Sequence, residues 1–430
     1  MWLLYEVLLF IGLLLYLPKA VLRKRLPHRG WMMRLGRYPA SVRQRLDGRR
    51  SIWIHAVSVG EVIAAQPLIR RLHEDAHDRP LVLSTMTPTG FDVASKLMGA
   101  NGTAIFVPLD FRMMVERALA VIQPRLLILV ESELWPNLIR LTHARHLPVI
   151  VVNGRVSARA FQRYLRVRRW LVETLEAVDL FLMQTEQDAD RIIRMGAPAS
   201  RVSVAGSLKW DASIVSRPTP AELSSVAHQL GLHDDEPLVV AGSTHRGEEA
   251  QVLDAFEAIR AQLGLARLVL ARLVLAPRHL ERIAEVEALI QSRGLRAQRI
   301  SALRSSGQPW EVALVDTLGQ LPLYYGLATV VFVGGSLIPH GGQNPLEPAG
   351  LGKAVVFGPS MENFADIVQQ LLTHQACYQL RQPSDLTATL KGLLANPEEA
   401  RLMGARAQAL VERLSGTTQK TLQALHAFLS

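Results

Sequence analysis

Short apolar runs alternate with stretches of helical period along most of the chain. In the first half, Ile52–Val57, Leu81–Thr85, Ala104–Val107, Leu126–Val130, Val149–Val152, Leu180–Gln184 and Val202–Ala205 predict strands. Between them, Val62–Leu72 and Met113–Ile122 repeat apolar residues at helical spacing. The runs are rich in Val, Ile and Leu and do not alternate with polar residues, which predicts a parallel sheet covered on both faces. A polar, proline-punctuated stretch at 216–220 interrupts this pattern. It then restarts with Leu238–Ala241, Leu268–Leu275, Val312–Val315, Val330–Val333 and Val355–Phe357. The expected architecture is α/β: two Rossmann-like, doubly wound domains over 51–215 and 221–430, joined by the linker 216–220. In such sheets ligands sit at the carboxyl ends of strands, and two domains place the expected site in a cleft between them. A tandem Ala-Arg-Leu-Val-Leu at 266–270 and 271–275 is too short for a solenoid period and reads as a local duplication.

The N-terminus departs from the pattern. Trp2–Leu17 is almost unbrokenly apolar, interrupted by Glu6 and Gly12. Such a helix rises about 24 Å, slightly less than a hydrocarbon core of about 30 Å. Segment 1–17 is therefore expected as a membrane anchor that either spans with snorkelling flanks or lies obliquely in the interface. Its basic residues follow the apolar run, whereas in a cleaved signal peptide they precede it. Apolarity on every side argues against a buried core helix.

Charge sharpens this. The formal net charge is +10, and the collar 18–50 alone carries eleven Lys/Arg against Asp47, so residues 51–430 sum to only +1. A nearly neutral body makes nucleic acid an unexpected partner. The collar instead predicts attraction to anionic phospholipid and, by the positive-inside rule, a protein on the cytoplasmic face of the inner membrane. The single cysteine, Cys377, excludes an intrachain disulfide and fits a reducing compartment.

Candidate chemistry gathers at predicted strand ends. The first strand runs into His55-Ala-Val-Ser58-Val-Gly60-Glu61, where Gly60 permits a tight turn and Glu61 enters the first helical turn. Glu61 is either a cleft-facing carboxylate or an acid that complements the helix dipole. The fourth ends in Glu131-Ser-Glu133-Leu-Trp-Pro-Asn137, with Glu133 a functional acid or a cap; the fifth ends in Asn153-Gly-Arg155 before a run of arginines suited either to solvent or to phosphate. Asp188 and Asp190 resemble a metal-binding Asp-x-Asp, but their side chains diverge on a helix, and no metal is expected there. In the second half, Gly242-Ser243-Thr244-His245 opens a helix, with Ser243 or Thr244 as N-cap and an anion site at its amides. Arg278 and His279 end the next strand. The segment Gly334–Gly350 holds paired glycines, with Asn344 and Glu347 one turn apart on a short helix; its glycines, among them Gly335, Gly341 and Gly342, admit a phosphate, and Glu347 suits a ribose diol.

Taken together, Ser58-Val-Gly-Glu61, Glu131–Asn137, Asn153-Gly-Arg155, Gly242–His245, Ala276-Pro-Arg-His279 and Gly334–Gly350 resemble the 3-deoxy-D-manno-octulosonic acid (Kdo) transferases of Gram-negative bacteria, over essentially the whole chain. The tandem repeat before Arg278 departs from that family's pattern. The resemblance implies the GT-B fold, an acceptor domain followed by a donor domain, and transfer of Kdo from CMP-Kdo to the glucosamine 6′-hydroxyl of a lipid A precursor. It implies Glu61 as general base, Arg278 and Glu347 serving CMP, and no bound metal or other cofactor. A base-assisted single displacement inverts the anomeric centre, with the departing phosphate met by Arg278 and by amides of Ser243, Thr244, Gly341 and Gly342. Ser58, Gly60, Glu131, Glu133, Asn153 and Arg155 are the acceptor-side candidates. A UDP-sugar transferase or 2-epimerase, or a binding protein without turnover, remains the alternative.

Overall fold

The structure is a computed structural model that describes residues 2–22, 30–75, 79–99, 102–131, 133–215, 217–233, 236–265, 271–303 and 310–429, with the backbone alone at 16–22, 215 and 262–265. Collar residues Arg23, Lys24, Arg25 and Arg29, linker residue Ser216 and the first repeat copy 266–270 lie outside the described residues.

The chain divides into two compact units, 1–212 with 415–430, and 213–414. The first contains β1 (Ser51–His55), β2 (Leu81–Thr85), β3 (Thr103–Phe106), β4 (Pro124–Val130), β5 (Val149–Gly154), β6 (Leu180–Met183) and β7 (Val202–Val204). These form one parallel sheet in the order β3-β2-β1-β4-β5-β6-β7. The unbroken apolar runs follow from burial on both faces. Trp53, Leu127 and Val151 enter one core, while Ile52, Ile54, Ile128 and Ile150 enter another. A period of two thus divides each run between two helical layers.

The second unit contains β8 (Leu238–Thr244), β9 (Arg272–Pro277), β10 (Ala297–Arg299), β11 (Val312–Leu314), β12 (Val330–Val333), β13 (Ala354–Phe357) and β14 (Tyr378–Gln379). Its parallel order is β10-β11-β9-β8-β12-β13-β14. In both sheets the order reverses beside the first strand, between β1 and β4 and between β8 and β12. At such a switch point the connections leave to opposite faces, opening a crevice beyond the strand ends.

Three expectations change. The C-terminal segment 415–430 belongs to the first unit, not to the second where the sequence reading put it. The helix Thr417–Leu429 sends Leu422 and Leu425 into the core that holds Ile52 and Ile54. Its opening turn is held by Asp211, which accepts from the N–H groups of Gly416 (2.6 Å) and Thr418 (2.7 Å). The boundary lies at 212/213, inside the helix Leu208–Val215, ahead of the expected linker.

The collar is in part structural. Tyr38, Val42 and Leu46 are core residues, and buried Arg34 lies over the Phe106 ring and donates to the Met86 carbonyl.

The apolar N-terminus forms the helix Trp2–Leu22, but among the described residues no helix is long and apolar enough to cross a membrane. The expected membrane-spanning form therefore lacks support. Glu6, which broke the apolar run, accepts from the Arg112 N–H (2.7 Å) and the Asn137 side-chain amide (3.2 Å). Tyr5 donates to Asp110 (2.8 Å), and the Trp2 ring lies under the Arg140 guanidinium at 3.5 Å. Leu3, Leu4, Val7, Leu8, Phe10, Ile11, Leu14 and Leu15 stay exposed. One side of the helix docks through polar contacts while its apolar residues remain uncovered.

Replacing Asp211 by Ala removes a buried acceptor from two main-chain N–H groups, so chemical denaturation is expected to show a loss of about 1–3 kcal/mol. An unchanged midpoint would remove Asp211 from the role of tethering the C-terminal helix.

Candidate active site

At the first switch point, the turn after β1 leads into the helix Val59–Asp75. Glu61 folds back so that Oε2 accepts from the Val57 N–H (2.6 Å) and Oε1 from the Ser58 hydroxyl (3.0 Å). The half-buried carboxyl is pushed up to about 7 by burial, opposed by the Val57 N–H, reinforced by the charges of Glu131 and Glu133, and opposed again by the Ser58 hydroxyl. Burial, then the Glu131 charge, also raises Glu133. Three carboxylates from two strand ends therefore act on one another. A helix-start acid that only complemented the dipole would have no reason to sit among other acids.

Gly60 does not have the role expected of it. It lies in the helix, and a Cβ there would meet only the Ser58 hydroxyl, at 3.9 Å. The turn does not demand glycine. Glu133 is not a cap either, because Asp110 accepts from the Asn137 (2.9 Å) and Leu138 (2.8 Å) N–H groups that open the helix Pro136–His143.

Six described non-glycine residues have positive φ, and three are site candidates: Glu131 (63°), Asn153 (55°) and Ser243 (56°). Backbone strain concentrates where the surrounding structure holds it for use. Asn153 and Ser243 also lie at irregularities of register in β5 and β8, a local device that re-aims side chains. Buried Asn153 accepts from the Leu208 N–H (3.0 Å), which opens the helix carrying Lys209. The Lys209 ammonium lies 3.3 Å from the Glu131 carboxylate. Sequence reasoning missed Lys209; its signal was a lone cation just after β7, in Gly206-Ser-Leu-Lys209.

Arg155 follows β5 and is half-buried, ahead of the helix Ala158–Arg166, where Arg159, Arg163 and Arg166 are exposed. Asp188 is a structural acceptor for the Val156 N–H (2.8 Å), whereas exposed Asp190 pairs with Arg194 (3.4 Å). The two aspartates serve separate partners.

At the second switch point, the ends of β8 and β12 approach so closely that a Cβ on Gly334 would lie 2.6 Å from the Thr244 Cα. Glu248, fully buried, accepts from the N–H groups of His245 (2.9 Å), Gly335 (2.6 Å), Ser336 (2.9 Å) and Leu337 (2.9 Å). The Gly341 N–H donates to Ser360 Oγ (3.0 Å) and the Gly342 N–H to the Gly335 carbonyl (2.8 Å). The amides of Gly341 and Gly342, expected to meet a phosphate, are thus engaged within the protein. Neither Ser243 nor Thr244 caps the following helix, which begins at Glu248; the Thr244 hydroxyl donates to Glu249 (3.2 Å).

Side chains remain as the site's chemistry. Glu347 accepts from the Asn344 amide (3.2 Å), and Asn344 itself precedes the short helix Leu346–Gly350. Burial raises the Glu347 carboxyl, while the Asn344 hydrogen bond and the Arg278 charge lower it. His279 stands beside Arg278, with His245 within 5.5 Å of its ring.

Two Rossmann-like units carry the candidate chemistry, one with three carboxylates that influence one another and the other with a glycine loop beside His245 and His340 and with Arg278 acting on Glu347. The likeness to UDP-GlcNAc 2-epimerase from Neisseria meningitidis, solved with UDP-GlcNAc, shows that fold alone: TM-score 0.56, 14% identity, 86% of this chain and 100% of that one. Residues 29–212 match the family model described as 3-deoxy-D-manno-octulosonic-acid transferase (kdotransferase). The chain is 32% identical over 383 residues to the transferase of that name from Haemophilus influenzae, covering 88% of this chain and 87% of the relative. It is 35% identical over 388 residues to that of Bordetella pertussis, covering 88% and 87%. The chain belongs to the Kdo transferase family and is a glycosyltransferase.

A base must be ionised to take a proton. If Glu61, raised to about 7, is the base for transfer, the rate should climb about tenfold per pH unit below that value and level off above it. A rate independent of pH between 5.5 and 8 would argue against Glu61 as the titrating group.

Proposed function

We propose that the chain transfers Kdo from CMP-Kdo to the glucosamine 6′-hydroxyl of a lipid A precursor, lipid IVA, in lipopolysaccharide biosynthesis. The observation that carries this reading is Glu61: a half-buried carboxyl raised to about 7 at a strand end, in a member of the Kdo transferase family. A sugar hydroxyl is a weak nucleophile near neutral pH, so a positioned carboxylate must accept its proton as the new bond forms. The bond between the Kdo anomeric carbon and the CMP phosphate oxygen breaks as the hydroxyl oxygen attacks. The electron pair leaves with CMP, and the single displacement inverts the anomeric centre. CMP departs with one phosphate, whose charge Arg278 can meet without a metal ion, while Glu347 suits the ribose. Glu131, Glu133, Asn153, Arg155 and Lys209 belong to the acceptor side in this reading.

The N-terminal helix fits attachment to the cytoplasmic face of the inner membrane as an interfacial element. Its exposed residues, from Leu3 to Leu15, provide an apolar surface, and the basic collar supplies attraction to anionic lipid. The exposed Val167 and Trp170, set among Arg163, Arg166, Arg168 and Arg169, offer a second contact of the same chemistry.

Glu61→Gln should lower Kdo transfer by at least about 100-fold while CMP still inhibits the residual activity at the wild-type concentration. Mass spectrometry of the lipid product identifies the acceptor, and near-normal turnover would remove Glu61 from the base role. Replacing Leu4, Leu8, Ile11 and Leu15 together by Ser should release the protein from phosphatidylglycerol vesicles in a sedimentation assay. Undiminished sedimentation would move the attachment to the Arg159–Arg169 region.

A further inference from the structure

With the Gly335, Gly341 and Gly342 amides already engaged, side chains become the natural partners of an anion beside this loop. Three imidazoles come together there. The His245 ring centroid lies 4.0 Å from that of His340, at an interplanar angle of 40°, and 5.5 Å from that of His279, at 82°. His245 and His340 sit by the glycine loop: a Cβ on Gly335 would lie 3.4 Å from His245 Cδ2, 3.4 Å from His340 Cδ2 and 3.3 Å from Gln343 Cγ. The positive φ of Gly335, 66°, makes that approach possible.

Two of the nearby acids are committed elsewhere, Glu248 to four main-chain N–H groups and Glu249 to Arg282 at 2.8 Å, while Glu281 is itself the partner of His279 at 3.6 Å. Among the described residues, neither Arg278 nor His340 has a carboxylate within 4.0 Å. His245 is only 7% exposed and lies 3.1 Å from the Gln343 amide nitrogen. Accepting from that amide fixes the His245 tautomer, leaving the proton on Nδ1. Burial first, then His340, His279, Arg278 and Arg282, depress the His245 imidazolium to about 4, so it stays neutral and buttresses its neighbours.

We propose that His340 and His279, braced by His245 and Gln343, form the anion-reading element of the donor site, taking an anionic oxygen of an acidic nucleotide sugar. This rests on the reading of the chain as a CMP-Kdo-dependent transferase. The donor offers two sources of that chemistry, the sugar carboxylate and the nucleotide phosphate. In this arrangement His340 and His279 contact the ligand, and His245 is a positioning residue.

The test uses the full chain in detergent, with the KM for CMP-Kdo and the inhibition constants of CMP and cytidine measured for wild type, His340→Ala, His340→Gln and His279→Ala. The alanine variants should raise the KM by about tenfold, with His340→Gln, which keeps a donor, between them and wild type. If CMP inhibition is unchanged, the anion read is the sugar carboxylate. If CMP weakens in parallel while cytidine does not, it is the phosphate. His245→Ala should reproduce the His340→Ala effect, and the double variant should add little to either, the mark of a brace rather than an independent contact. Normal turnover with an unchanged KM in both His340→Ala and His279→Ala overturns the proposal alone. No turnover of CMP-Kdo by the wild-type chain overturns it together with the proposed function.

Discussion

A loop leaving the end of a buried parallel strand carries N–H groups that no neighbouring strand will take, and each must find an acceptor before the loop can do anything else. In this chain side-chain carboxylates meet much of that demand. Asp110 serves Asn137 and Leu138, Asp188 serves Val156, Asp211 serves Gly416 and Thr418, and Glu248 serves His245, Gly335, Ser336 and Leu337. Glu61 also takes one such N–H, that of Val57, but it differs from these acids in its company. Glu61, Glu131 and Glu133 influence one another, and burial raises two of them, which is the pattern expected where charge is kept for chemistry. In the second unit the same constraint turns the glycine loop from a set of free amides into a rigid platform, and leaves recognition to Arg278 and the imidazoles.

The strand pattern was readable because parallel strands buried on two faces are written as continuous Val, Ile and Leu. All twelve runs identified in the sequence correspond to strands, from Ser51–His55 to Ala354–Phe357. The two strands that escaped, Ala297–Arg299 and Tyr378–Gln379, are two or three residues long, partly polar and at sheet edges, where burial imposes no apolar signature. The unit to which the helix Thr417–Leu429 belongs was not visible in the sequence. That depends on Asp211, some 200 residues earlier, and on which core accepts Leu422 and Leu425.

The site was legible to the extent that it is local. Glu61 could be placed because strand, turn and helix are contiguous, and Glu131 because it follows its strand directly. What sequence could not show was partnership at a distance. The availability of the Gly335 amide is decided by Glu248, 87 residues away, and the significance of Lys209 by a carboxylate on another strand. The N-terminal run looked uniformly apolar because its single acid read as an interruption, whereas the fold uses Glu6 as a point of attachment to Arg112 and Asn137.

The return of residues 415–430 to the first unit has a consequence for how the protein is made. The second unit is one uninterrupted stretch, 213–414, but the first is assembled from segments on either side of it. A ribosome therefore releases every strand of the first sheet long before the helix that shares a core with Ile54 and Leu72 exists. That apolar face must wait, partly uncovered, while more than two hundred further residues are translated and fold. The helix Thr417–Leu429 thus closes a core whose strands were laid down more than two hundred residues earlier.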